Sequence, residues 1–169
     1  MLKLFGCVLI VAGSVGCGLC YLRTLFRRTS GLMTLVELLE LFQIRLSYEY
    51  STLPHLFESI EDPDKRFAPL TEYCLQALQQ GMNLKDAWQK GAESYADTYC
   101  LNPEDLSALK AFSQCLGETD LEGQLANIAL YREIFQKKAK EAEQFCRDRR
   151  KLTLSCSLFG GLLLSILLI

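Results

Sequence analysis

The chain has 169 residues, half of them hydrophobic and 22% charged, which leaves room for one domain of ordinary size. The formal net charge of −2 hides an asymmetry: residues 29–136 hold 17 acidic and 7 basic side chains, while Arg23, Arg27 and Arg28 precede that block and Lys137, Lys138, Lys140, Arg147, Arg149, Arg150 and Lys151 follow it. A strongly acidic centre excludes nucleic acid as a partner, because binding it needs a positive footprint.

Leu4 to Leu22 is an uncharged run of 19 residues, and a helix of about 20 residues spans a bilayer core. The expectation is a transmembrane helix at 1–22. A cleaved export signal is the rival reading, but Ser14 and Leu19 fit poorly before Cys17 and Cys20, and the arginines that follow disfavour export. Those arginines outweigh Lys3, so the residues after the span are expected on the cytoplasmic side.

Residues 23–151 read as a cytoplasmic six-helix bundle, without strand-like alternation of useful length. Leu35, Leu39, Phe42 and Leu46 define the buried face of a first helix over 31–50. Ser51-Thr52-Leu53-Pro54 ends it and opens a short helix to Ile60, and Glu61-Asp62-Pro63-Asp64 is a turn. The third helix, 68–80, turns Leu70, Tyr73, Ala77 and Leu78 inward and stops at Gly81. Asn83 caps a fourth with Leu84, Ala87, Trp88, Ala92 and Tyr95 inward. Asn102-Pro103 opens a fifth whose stripe is Leu106, Leu109, Phe112 and Leu116. Thr119 and Glu122 make a capping box for the sixth, which has no firm breaker before Gly160-Gly161 and is expected to run directly into the last uncharged stretch, a second transmembrane helix at 152–169.

The chemistry of an enzyme is missing from this pattern. His55 is the only histidine, no close cysteine pair faces a second pair, and neither a phosphate loop nor a nucleophile motif occurs, so no catalytic, cofactor or metal residues are assigned. Two features exceed scaffold. At the hairpin corner Gly117, Thr119, Asp120, Gly123 and Gln124 form a candidate docking patch; capping accounts for Gly117 and Thr119, but not for a glycine inside a first helical turn. In the spans, Ala12 and Gly16 on one side, and Ser157, Gly160, Gly161 and Ser165 on the other, put small residues where helices can pack in lipid against each other or a partner, a second copy included.

The Met1-Leu2-Lys3-Leu4 opening with Gly6, Tyr48 and Ser51-Thr52-Leu53-Pro54, the Leu116-Gly117 corner with Asp120 and Gln124, and the tail from Ser157 to Leu164 resemble the stage III sporulation protein AB family across the whole chain. The resemblance implies a membrane component of the assembly that joins mother cell and forespore. It further implies a helical domain similar to the F domain of type II secretion platforms, a secretion-type ATPase as partner, and a place in the mother cell membrane around the forespore. A membrane-tethered sensor bundle is the other reading.

Overall fold

The computed structural model describes residues 2–49, 62, 64–116 and 121–168, the side chains of 2–8, 10, 49, 115, 154, 158 and 161–168 excepted. Among the described residues it is all-helical, with helices α1 (Leu2–Glu49), α2 (Ala68–Gln79), α3 (Leu84–Tyr99), α4 (Pro103–Phe112) and α5 (Leu121–Leu168), and a 3₁₀ turn at Ser113–Cys115. The short helix expected at 54–60 lies outside the described residues, as does Thr119.

α1 and α5 have 48 residues each, about 72 Å of helix, and pair antiparallel along most of their length. The expected boundary between an anchor ending at 22 and a body helix starting at 31 does not exist as a break. The intervening Arg23 to Ser30 contains neither proline nor glycine, and its threonines donate back into the helix, Thr24 to the Tyr21 carbonyl and Thr29 to that of Leu25. The continuity expected at the other end is present: α5 passes from the body to Leu168 without interruption.

Three short helices pack against the inner half of this pair. Leu35, Leu39, Phe42 and Leu46 of α1 are all buried, as expected from their spacing, and so are Ile128, Phe135, Ala139, Ala142 and Cys146 of α5. α2 starts at a cap the sequence reading missed: the Asp62 carboxylate accepts the N–H groups of Arg66, Phe67 and Ala68. It ends as expected at Gly81, whose φ of 82° lets the Met82 N–H reach the Ala77 carbonyl and the Gly81 N–H that of Leu78. Tyr73 is a correction. It is 51% exposed, and Cys74, one residue on, takes the buried place. The reason is the crossing with α3, where a Cβ on Gly91 would stand 2.7 Å from the Cys74 Sγ and 2.6 Å from the Leu70 carbonyl oxygen. Burial pushes the Cys74 thiol up to about 12, so almost none is thiolate at pH 8. In the folded protein Cys74 should resist iodoacetamide at that pH and react once urea unfolds the chain; peptide mapping that finds it alkylated in the native state would contradict this packing.

α1 and α3 meet closely at Gly31. A Cβ there would lie 2.5 Å from the Tyr99 Cβ, and the Tyr95 hydroxyl donates to the Gly31 carbonyl at 2.8 Å. Helix propensity alone favours alanine over glycine by about 1 kcal/mol. Here overpacking outweighs it, and Gly31→Ala is expected to lower stability by about 1–2 kcal/mol. A urea midpoint that rises instead would show that the two helices part without cost.

Among the described residues, no helix is long and apolar enough to cross a membrane. The outer ends of both uncharged runs, residues 1–8 and 161–169, are the parts whose side chains are not described. The stretches expected to be transmembrane fall in the outer portions of α1 and α5, and what the fold establishes for them is helix continuous with the body, not membrane crossing.

Candidate functional site

Two places along the long helices gather polar and charged side chains. The first is the N-terminus of α4. Asn102 and Asp105 form a reciprocal capping box: the Asp105 N–H donates to the Asn102 side chain at 2.7 Å, and the Asp105 carboxylate accepts the Asn102 N–H at 3.4 Å. The same carboxylate, 0% exposed, accepts two bonds from the Arg28 guanidinium of α1, at 2.7 and 3.3 Å, and one from the Lys138 ammonium of α5 at 3.2 Å. One acid thus ties three helices. Burial by itself pushes the Asp105 carboxyl up, but the bonds and charges of Arg28 and Lys138 outweigh it and hold it below its ordinary value. In the sequence Arg28 and Lys138 belong to the basic flanks, and Asp105 is one of the many acids of the central block. The signal that marks it is the spacing Asn102-x-x-Asp105, which puts an acid at the third helical position, pointing back into the cap.

The second place is where the paired α1 and α5 leave the body. Ser14 donates to the Ser157 carbonyl at 2.6 Å, and a Cβ on Gly18 would touch the Ser157 Oγ at 3.0 Å and the Thr153 Cγ2 at 3.6 Å. Along this contact runs an open groove of about 520 Å³ whose walls include Cys17, Tyr21, Arg149, Leu152 and Cys156. Just inward of it the basic residues of the two chain ends come to one level: Arg23 and Arg27 on α1, Arg147, Arg150 and Lys151 on α5, all exposed. Arg147 pairs with Glu143, and the Arg149 guanidinium lies over the Phe145 ring, 5.0 Å from its centroid. A smaller cleft of about 180 Å³, lined by Phe26, Thr29, Glu143, Cys146, Arg147 and Arg150, opens at the same height.

Of the residues assigned to the docking patch, Gly117, Thr119 and Asp120 lie outside the described residues, while Gly123 and Gln124 sit half-buried in the first turn of α5. Of the small residues assigned to helix packing, Ser157 is at the contact just described. Ala12 is exposed, Gly16 and Gly160 have nothing within 4 Å of an added Cβ, and the surroundings of Gly161 and Ser165 are outside the described residues. The close approach within the chain is made by Ser14 and Gly18. Small residues every four positions could have suggested this second stripe equally well, since Ser14 and Gly18 share that spacing.

Among the described residues no group of three histidine, cysteine, aspartate or glutamate side chains could hold a metal ion. No curated protein and no solved structure matches the chain. A family model does, that of stage III sporulation protein AB, over residues 3–169. The match covers essentially the whole chain, which belongs to the stage III sporulation protein AB family and so to the proteins of sporulation.

Proposed function

We propose that the chain is a membrane-anchored, non-enzymatic platform of the sporulation assembly. In this reading the outer portions of α1 and α5 cross the mother cell membrane around the forespore, and the body of α2, α3 and α4 lies in the cytoplasm. There it meets a secretion-type ATPase and couples it to the channel, the role that a helical domain similar to the F domain of type II secretion platforms would imply. The observation that carries the reading is that Leu4–Leu22 and Leu152–Leu168, the outer stretches of one antiparallel helix pair, hold no charged side chain, while Arg23, Arg27 and Arg28 on α1 and Arg147, Arg149, Arg150 and Lys151 on α5 stand just inward of them. Positive side chains stay on the cytoplasmic face of a membrane, and Leu9, Leu19, Tyr21, Leu152 and Phe159 on the outer portion are large apolar side chains exposed to the surroundings.

The corner at Gly117, Thr119, Asp120, Gly123 and Gln124 is the proposed ATPase contact. The acidity of the body favours a basic partner surface, since complementary charge steers encounter. A green fluorescent protein inserted in the turn at Gly81, where nothing crowds the backbone, should fluoresce, and alkaline phosphatase inserted there should stay inactive. The reverse pair of results would place the body outside the cell. Purification of the full chain from sporulating cells should recover a secretion-type ATPase; its absence, with the ATPase expressed, would remove the platform role and leave the anchoring intact.

A further inference from the structure

We propose that the groove between the outer portions of α1 and α5 binds one anionic phospholipid, its phosphate on Arg149 and an acyl chain laid past Cys17 and Cys156. The proposal deepens the membrane reading above and rests on it. The groove is open and has a floor of small side chains: Gly18 and Ser157 let the helices approach, and Ser14 closes the floor by its bond to the Ser157 carbonyl.

What makes the groove more than a crease is the group at its inner end. Arg149 lines it, and its guanidinium lies over the Phe145 ring, 5.0 Å from the centroid, with no carboxylate pairing with it among the described residues. A guanidinium presents a fork of N–H donors that matches two phosphate oxygens. Arginine at the inner end and apolar or small walls outward are the two halves of a lipid, in the order a lipid would present them. A soluble anion would satisfy Arg149 and leave the walls empty. Exposed Tyr21 and Leu152 stand beside the groove at the depth where aromatic side chains meet headgroups. Net-negative lipid is preferred to zwitterionic because Arg23, Arg27, Arg150 and Lys151 surround the level of Arg149. The acids between residues 142 and 153 are Glu143, which pairs with Arg147, and Asp148.

The test uses the full chain reconstituted in phosphatidylcholine nanodiscs, with trace spin-labelled phosphatidylglycerol or spin-labelled phosphatidylcholine, and reads the motionally restricted fraction by electron paramagnetic resonance. Phosphatidylglycerol should be favoured over phosphatidylcholine, and Arg149→Gln should cut that preference about fivefold. Arg149→Lys should keep part of it, since the charge remains and the fork is lost. Cys156→Trp, which fills the groove, should reduce the restricted fraction of both lipids. Arg147→Gln, a change at the smaller cleft, should leave the preference unaltered. Equal restriction of the two lipids by the wild type would overturn the site. So would equal losses from Arg147→Gln and Arg149→Gln, which would mean a diffuse basic collar. A chain that fails to enter phosphatidylcholine nanodiscs at all would instead overturn the membrane reading, so the two failures are distinguishable.

Discussion

Replacing Asp105 with alanine is expected to cost the full chain in detergent micelles about 4 kcal/mol of unfolding free energy. Trp88, the single tryptophan, reports the transition in urea by its fluorescence. The size follows from what is left behind. The carboxylate is fully buried and receives bonds from Arg28, Lys138 and the Asn102 N–H. Without it two half-buried cations face each other over a helix N-terminus, where the macrodipole is also positive. Such an arrangement is far worse than never having buried the charges. Exchanging all three, Arg28→Met with Asp105→Leu and Lys138→Met, should accordingly recover most of the loss, because an apolar cluster of similar volume often replaces a buried ion pair without penalty. A loss below about 1 kcal/mol for Asp105→Ala would show that solvent reaches the triad and screens it.

The same triad gives the protein a direction of acid sensitivity. The Asp105 carboxyl is held below its ordinary value of 3.8. A depressed carboxylate contributes stability that is complete above the unfolded value and disappears as pH falls through the folded one. The contribution should therefore be constant through neutral pH and fade only below about pH 4. The wild type and the triple apolar variant should diverge there, with the wild type losing more.

Much of this architecture is legible in the residues, and where it is not the reason is physical. Asn83 and Asn102 announce helix starts because a short polar side chain before an apolar-periodic segment has few other uses, and both accept the expected N–H three residues on. The α1 and α5 stripes are legible because a long helix repeats its apolar spacing many times over. Cys74 in place of Tyr73 is not legible, because a 12-residue helix carries too few turns to fix its rotation. Its rotation is set by how closely α3 approaches at Gly91, and that is tertiary information. The triad was obscured for a different reason: Arg28 sits in a cluster with Arg23 and Arg27, so nothing local marks one of them as turned inward. The groove was obscured because Arg149 and Tyr21 are brought together only by the antiparallel pairing.

Trp88→Ala is the second large effect, expected at about 4 kcal/mol. The indole is 0% exposed, stands between Phe42 and Phe112 with ring centroids 6.4 and 5.1 Å away, and donates its N–H to the Leu109 carbonyl at 2.7 Å. It therefore links α3 to both α1 and α4 by packing, and to α4 by a hydrogen bond at a backbone position beyond the reach of the capping box. Alanine opens a cavity among these rings and leaves the Leu109 carbonyl without its indole donor, so transfer, cavity and hydrogen-bond losses add. Trp88→Phe separates them: the ring remains and the donor goes, with an expected cost of about 1–2 kcal/mol. Because the fluorescent reporter is removed, unfolding must be followed by far-ultraviolet circular dichroism. The long α1 and α5 should keep most of their helical signal in Trp88→Ala under conditions where the body melts, giving two transitions where the wild type gives one. A single transition at an unchanged midpoint would mean that the indole adds nothing to the hold of the body on the long helices.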